Sequence, residues 1–121
     1  MPSRKIVANE LASVLRQVSH PDRIRLILKL QAGDQTVNEL AQELDIPATR
    51  ASQHLAVLRA LSLVETRSQG QNRAYRLAQP DLALWLIDGI DFIAHRLGKA
   101  SPQDIEQAKE LWQQEAAVTV F

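Results

Sequence analysis

The stretch that decides the reading of this chain runs Ala48-Thr49-Arg50-Ala51-Ser52-Gln53-His54-Leu55-Ala56-Val57-Leu58-Arg59-Ala60-Leu61, then Ser62-Leu63-Val64-Glu65-Thr66-Arg67. It continues through Ser68-Gln69-Gly70-Gln71-Asn72 into Arg73-Ala74-Tyr75-Arg76-Leu77. On a helical wheel Ala51, Leu55, Leu58 and Ser62 fall within about 40° of one another, so a helix over about 48–61 turns that face inward. Opposite them lie Thr49, Gln53 and Ala56, with Ser52 and Arg59 on one flank and Arg50 on the other, and none of these is large and apolar. After Leu61 the apolar period changes from helical to two, and the Gly70 turn predicts a β-hairpin over about 63–77. A helix with a small polar outward face that runs directly into an arginine-bearing hairpin is the layout of a winged helix-turn-helix.

The flanking segments fit around that unit. Upstream, Thr36 with Glu39 three residues later forms a capping box for a short third helix through Leu40 and Leu44, which Asp45-Ile46-Pro47 ends. Ser19-His20-Pro21 closes one helix and opens the next, because proline disfavours helix in the residue before it and suits a first helical turn. His20 is read as a cap and packing residue, and Ile24, Ile27 and Leu28 mark the inward face of the second helix. That helix is closed by Gly33 with Asp34. The first helix, about 4–18 with Ser3 as its N-cap, carries Val7, Leu11, Val14 and Val18 on one narrow stripe.

Downstream, Gln79-Pro80-Asp81 begins a fifth helix over about 81–97. Leu82, Leu86, Gly89 and Ile93 share one face, and Trp85 and Phe92 extend the apolar surface well round the circumference. In a chain this short such a helix must be buried twice, against its own domain and against a second copy. Dimerisation is expected through Val7, Leu11, Val14, Leu82, Trp85, Leu86 and Ile93. Gly98-Lys99-Ala100 is a stop, and Ser101-Pro102 with Asp104 starts an extra helix over about 102–115 with Ile105, Ala108 and Trp112 on one stripe. Val118 to Phe121 are apolar and unassigned.

Composition narrows the classes. The chain has 121 residues, 45% of them apolar and only 4% aromatic, which suits one mostly helical domain with an aliphatic core. It has no cysteine, so disulfides, thiolate metal sites and thiol redox sensing are excluded. No segment approaches the roughly 18 apolar residues of a membrane span, and a cytoplasmic protein is expected. The net charge of zero hides an asymmetry. Residues 48–77 carry five arginines against Glu65, whereas residues 78–121 carry three basic against seven acidic side chains. An arginine cluster of this kind suits a phosphate-facing surface, and on charge alone a solvated face equally. Neither a phosphate-binding loop nor a converging Ser-His-Asp set occurs, so an enzyme is rejected.

The segments Ser19-His20-Pro21-Asp22-Arg23-Ile24-Arg25-Leu26-Ile27-Leu28, Ala51-Ser52-Gln53-His54-Leu55-Ala56-Val57-Leu58-Arg59, Leu63-Val64 and Tyr75-Arg76-Leu77 together resemble the ArsR/SmtB family of bacterial transcription regulators. The resemblance covers about residues 6–95. It implies a homodimeric winged helix, paired through its first and fifth helices, that binds an operator near its own promoter, usually represses, and releases DNA when an effector binds.

For DNA, Gln53 is the expected base reader, since glutamine pairs bidentately with adenine, while Thr49 and Ser52 suit a base or a phosphate. Arg50 suits either; Arg59, Arg67 and Arg73 are assigned to phosphates, and Arg76 is left open. His54 is placed with this set in a packing or backbone-phosphate role, in preference to metal ligation.

The signal is less legible. The thiolate positions of metal-sensing relatives correspond here to Thr36 and Asn38. Their Asp and His positions correspond to Gln79, Asp81, Phe92 and His95, where only Asp81 and His95 are ligands, so the family site is broken. Asp88, Asp91 and His95 share a polar face of the fifth helix and form an alternative metal set, although a solvated face with His95 paired to Asp91 is favoured. No cofactor is expected. Trp85, Phe92 and Trp112 are read as packing residues before a small-molecule pocket. An organic effector, a protein effector or none at all stays open. The alternative function is a winged-helix protein-interaction module or a repressor under a protein co-regulator acting on the acidic last helix.

Overall fold

The computed structural model describes residues 2–93 and 101–118. The order is α1 (Pro2–Val18), α2 (Pro21–Lys29), a 3-10 turn (Leu30–Ala32), β1 (Gln35–Thr36), α3 (Val37–Leu44), α4 (Ala48–Ala60), β2 (Val64–Gln69), β3 (Asn72–Leu77), α5 (Asp81–Ile93) and α6 (Pro102–Val118). This is the expected winged helix-turn-helix with an extra helix after it. Residues 94–97 of the expected fifth helix, with His95, lie outside the described residues, as do the Gly98-Lys99-Ala100 stop and residues 119–121.

Local chemistry sets the boundaries. Pro21 stands at the first turn of α2, and His20 caps it by accepting the Asp22 backbone N–H on Nδ1 at 3.1 Å. The capping box of α3 is complete: Glu39 N–H donates to Thr36 Oγ1 at 3.2 Å, and Thr36 N–H donates to Glu39 Oε1 at 3.1 Å. Ser101 and Asp104 build the same reciprocal pair ahead of α6, both bonds at 3.1 Å. Ser3 does not cap α1, which already begins at Pro2, a residue suited to the first turn.

Two other expectations are corrected. Ser62 is not on the inward face of α4; it is exposed and takes φ +61°, ending the helix. That left-handed residue lets Ser62 N–H reach Arg59 O at 2.9 Å and Leu63 N–H reach Leu58 O at 3.0 Å, which satisfies carbonyls the helix end would orphan. Asp45, at φ +55°, closes α3 in the same way. The hairpin is also one part of a three-stranded antiparallel sheet, ordered β1-β3-β2, because Gln35 and Thr36 pair with Tyr75 and Ala74. Its turn is the two residues Gly70-Gln71 between paired Gln69 and Asn72, with Gly70 at φ +62°.

The core is aliphatic. Leu26, Ile27 and Leu28 of α2, Leu40 and Leu44 of α3, Leu55 and Leu58 of α4, Val64 and Leu77 of the sheet, and Ala83 and Ile87 of α5 pack as one cluster. Ile24, expected on the inward face, is half-buried at its edge. Trp112 packs α6 on this cluster, and its carbonyl accepts Gln31 Nε2 at 3.3 Å. Lys29 Nζ lies 3.3 Å from Glu115 and 3.5 Å from Glu43, tying α6 and α3 to the C-terminal end of α2. Burial works against the Lys29 ammonium, but the two carboxylates outweigh it and raise its pKa above the ordinary lysine value.

What stays uncovered is equally informative. Val18 is buried, but Val7 is 64% and Leu11 51% exposed; on α5, Trp85 is 52% and Phe92 83% exposed. Val14, Leu82 and Leu86 are half-buried against the core, and Ile93 is exposed. Among the described residues no helix is long and apolar enough to cross a membrane.

Candidate nucleic-acid interface

The packing of α4 divides its residues cleanly. Ala51, Leu55 and Leu58 are buried, whereas Thr49, Arg50, Ser52, Gln53, Ala56 and Arg59 are all exposed. The face predicted to read bases is therefore open along its length. At the start of α4, Pro47 has no side chain that caps the helix. The first backbone N–H groups thus point outward with no side-chain acceptor, the arrangement that receives a phosphate at a helix N-terminus.

The wing supplies further charge. Arg67 pairs across the strands with Ala74, and Arg73 with Ser68. Since facing partners share a side of the sheet and successive residues alternate, Arg67 and Arg73 project from opposite faces of the hairpin. Both are exposed. Arg67 Nε lies 3.6 Å from Asp34, while Arg76 Nε donates to Glu65 across the strands at 3.2 Å. Arg76 thus has a cross-strand acid partner within the wing, as Arg67 has one in Asp34.

His54 departs from the expected set. It is 8% exposed and faces α2 instead of solvent, so it takes the packing role and not the phosphate one. Arg23 Nε donates to its Nδ1 at 3.1 Å, and the His20 ring packs against it, tilted by 47°, at 4.4 Å between centroids. Arginine only donates, so Nδ1 carries the lone pair and Nε2 the proton. That Nε2–H is buried and, among the described residues, has no hydrogen-bond partner; the nearest acid among them, Asp22 Oδ2, is 3.6 Å away. Burial, followed by His20 and Arg23, lowers the His54 pKa below the ordinary histidine value. The sequence offered one signal for this: the histidine stands about 60° from the inward centre of the wheel, close enough to turn in if a partner waits. The partner, Arg23, is 31 residues away in sequence.

His20, Asp22 and His54 could also be weighed as a cation site, since one ligand atom from each lies within 4.8 Å of the others. The donor set argues against it. Arg23 fixes the proton on Nε2, where a metal would need a lone pair, and Arg50 Nη1 stands 4.0 Å from Asp22 Oδ2. Of the other metal set, Asp88 and Asp91 are exposed, and Asp91 already accepts Lys109 Nζ at 2.6 Å. Trp85 lines an open recess of about 260 Å³ with Ser62, Leu63, Gln79, Asp81 and Leu82, whereas Trp112 packs against the core cluster.

Comparison with known proteins agrees with this geometry. Residues 20–66 match the family model described as "Bacterial regulatory protein, arsR family". The chain is 38% identical over 90 residues to the biofilm growth-associated repressor of Agrobacterium fabrum, covering 74% of this chain and 76% of that one. The crystal structure of the transcriptional repressor BigR from Xylella fastidiosa superposes with a TM-score of 0.65 at 32% identity, over 82% of this chain and 98% of that one. A homodimeric winged helix-turn-helix DNA-binding domain from Mycobacterium bovis shares the fold, with a TM-score of 0.65 at 23% identity over 81% of this chain and 93% of that one. The chain belongs to the arsR family of bacterial regulatory proteins.

Proposed function

We propose that the chain is a cytoplasmic, homodimeric repressor that binds a double-stranded operator with inverted-repeat symmetry. The observation that carries this reading is the outward face of α4, where Thr49, Ser52 and Gln53 stand clear of packing between Arg50 and Arg59. Short hydrogen-bonding side chains on such a face reach base edges in a major groove, and the arginines meet the flanking phosphates. Arg67 and Arg73, on opposite faces of the wing, suit a hairpin laid in a minor groove with a phosphate strand on either side.

The exposed stripes of α1 and α5, with Val7, Leu11, Trp85 and Phe92 at their centres, support pairing with a second copy. Two recognition helices then meet successive major grooves about 34 Å apart. No metal or cofactor belongs to this reading, because the acids and histidines of α2 and α4 are occupied with arginines and Asp91 with Lys109.

Selection of genomic fragments by the purified protein at two salt concentrations tests the reading. The expected result is one imperfect inverted repeat, bound with steep salt dependence, for which Gln53→Ala erases the preference over scrambled duplex. Equal loss on cognate and scrambled DNA removes Gln53 as the reader. Recovery of no preferred fragment, together with salt-insensitive capture of a protein, moves the function to a protein-docking module.

A further inference from the structure

We propose that Arg23 is a positioning residue for DNA recognition: it brackets the end of α1 to His54 on α4, and the bracket holds only while His54 is neutral. The inference rests on the reading of α4 as the recognition helix. One guanidinium makes both ends of the link. Nη1 donates to Gln17 O of α1 at 2.6 Å, with Gln17 Oε1 at 3.4 Å, and Nε donates to His54 Nδ1 at 3.1 Å. His54 follows directly on Gln53, so the residue gripped from behind is next to the one aimed at the bases. Arg23 therefore connects the helix with the uncovered apolar stripe to the helix that reads the groove, across α2, which lies between them in sequence.

The neutral state is required by the donor count. Imidazolium donates from both ring nitrogens, so protonation at Nδ1 ends the Arg23 bond and sets two cations face to face at a buried position. The groups around His54 are His20, at the N-cap of α2, Asp22 and Arg23 within it, and Arg50 on α4; the α1 contribution is the uncharged Gln17. Asp22 alone favours the charged ring, and its Oδ2, 3.6 Å from Nε2, is shared with Arg50 at 4.0 Å. Burial, His20 and the two arginines oppose it, in keeping with a pKa held below the ordinary histidine value. Acidification thus loosens the link between α1 and α4.

The test compares the dimer and two variants on one duplex between about pH 8 and pH 5.5, the range in which histidines titrate. His54→Asn places an amide oxygen near the Nδ1 position, which accepts from Arg23 at every pH. His54→Phe keeps the ring and removes the acceptor. Wild-type affinity is expected to fall toward about a hundredfold per pH unit once the pH is below the His54 pKa, as each of the two protomers must release one proton to be seated. His54→Asn is expected to bind as the wild type does at pH 8 and to lose that dependence, and His54→Phe to bind weakly throughout.

Should His54→Phe fail to fold, an NMR titration of His54 in the wild type supplies the second readout. Linkage requires the His54 pKa to drop further when DNA is added, and Arg23→Ala to raise it in the free protein. A wild-type affinity that is flat through the His54 titration, or a His54→Asn profile identical to wild type, which would assign the effect to His20, overturns the proposal. A protein that binds no duplex at any pH, with His54 still responding to Arg23→Ala, refutes the DNA reading while leaving the bracket itself in place.

Discussion

Arg73→Ala isolates what the wing contributes, and its size follows from counting. Arg73 is exposed on the face opposite Arg67, so its removal disturbs nothing in the core. Each phosphate contact on B-DNA contributes about 0.9 to the slope of log affinity against log salt. A dimer presents two copies, so the variant is expected to reduce the slope by about 1.8. Between about 50 and 200 mM salt one contact of this kind is worth roughly 3.5-fold, and two are worth roughly 12-fold. The deficit of the variant relative to wild type is therefore expected to shrink by about that factor as salt rises. Fluorescence anisotropy on a cognate and a scrambled duplex at several salt concentrations measures it, and both duplexes should be affected alike. Arg67→Ala is the internal control: Arg67 begins paired with Asp34 at 3.6 Å, so it gives up an existing partner to reach a phosphate, and its loss should weaken affinity less. An unchanged slope for Arg73→Ala, or a loss confined to the cognate duplex, refutes the wing as a phosphate clamp.

Three further outcomes are expected. His54 has its pKa lowered in the folded state, so the unfolded chain binds its proton first; stability is fully present above the ordinary histidine pKa of about 6.5 and declines as pH falls from there through the folded value, which urea midpoints across that window check, with His54→Asn removing the decline. Trp85→Glu or Leu11→Glu, placing a charge on the uncovered stripes, should give a monomer by sedimentation and abolish binding to the two-half-site operator while leaving the circular dichroism spectrum intact. Ser62→Gly relieves a side chain held at φ +61° and should stabilise the fold by about 0.5 to 1 kcal/mol in denaturant unfolding; a destabilised variant would mean that the serine has a contact the backbone argument ignores.

The features legible in the sequence are those whose physics is local. The Thr36/Glu39 box and the His20-Pro21 start each close within three residues, and both stand in the structure as read. The period change after Leu61 exposed the wing because alternation needs only one strand to show itself. What escaped is non-local. β1 is two residues long, and nothing in Gln35-Thr36 marks a strand until β3 lies beside it. On the wheel Ser62 falls inward because the wheel continues a helix that a left-handed residue has already ended. The wheel leaves His54 near the border, open to a packing or a backbone-phosphate role, and the neighbour that turns it inward belongs to another helix. Of the residues assigned to DNA, Thr49, Ser52, Gln53 and the arginines are exposed, since small polar residues opposite a leucine stripe have one place to go.

The attachment of α6 has a further consequence for how the protein meets a duplex. Lys29 and Trp112 seat this acid-bearing helix at the C-terminal end of α2, while the N-terminal end of the same helix carries the groups that grip α4. In a chain whose charges sum to zero, the basic and acidic blocks are thus held apart on a rigid frame and form a dipole. Such a molecule feels little pull from DNA at long range, because a dipole's attraction fades faster than that of a net charge and salt screens it beyond about 8–10 Å. Within that distance it feels a torque that turns α4 and the wing toward the phosphates and the acidic helix away. Fewer of its collisions arrive wrong side first, and the chain is spared the indiscriminate hold on nucleic acid that a uniformly basic surface would give it.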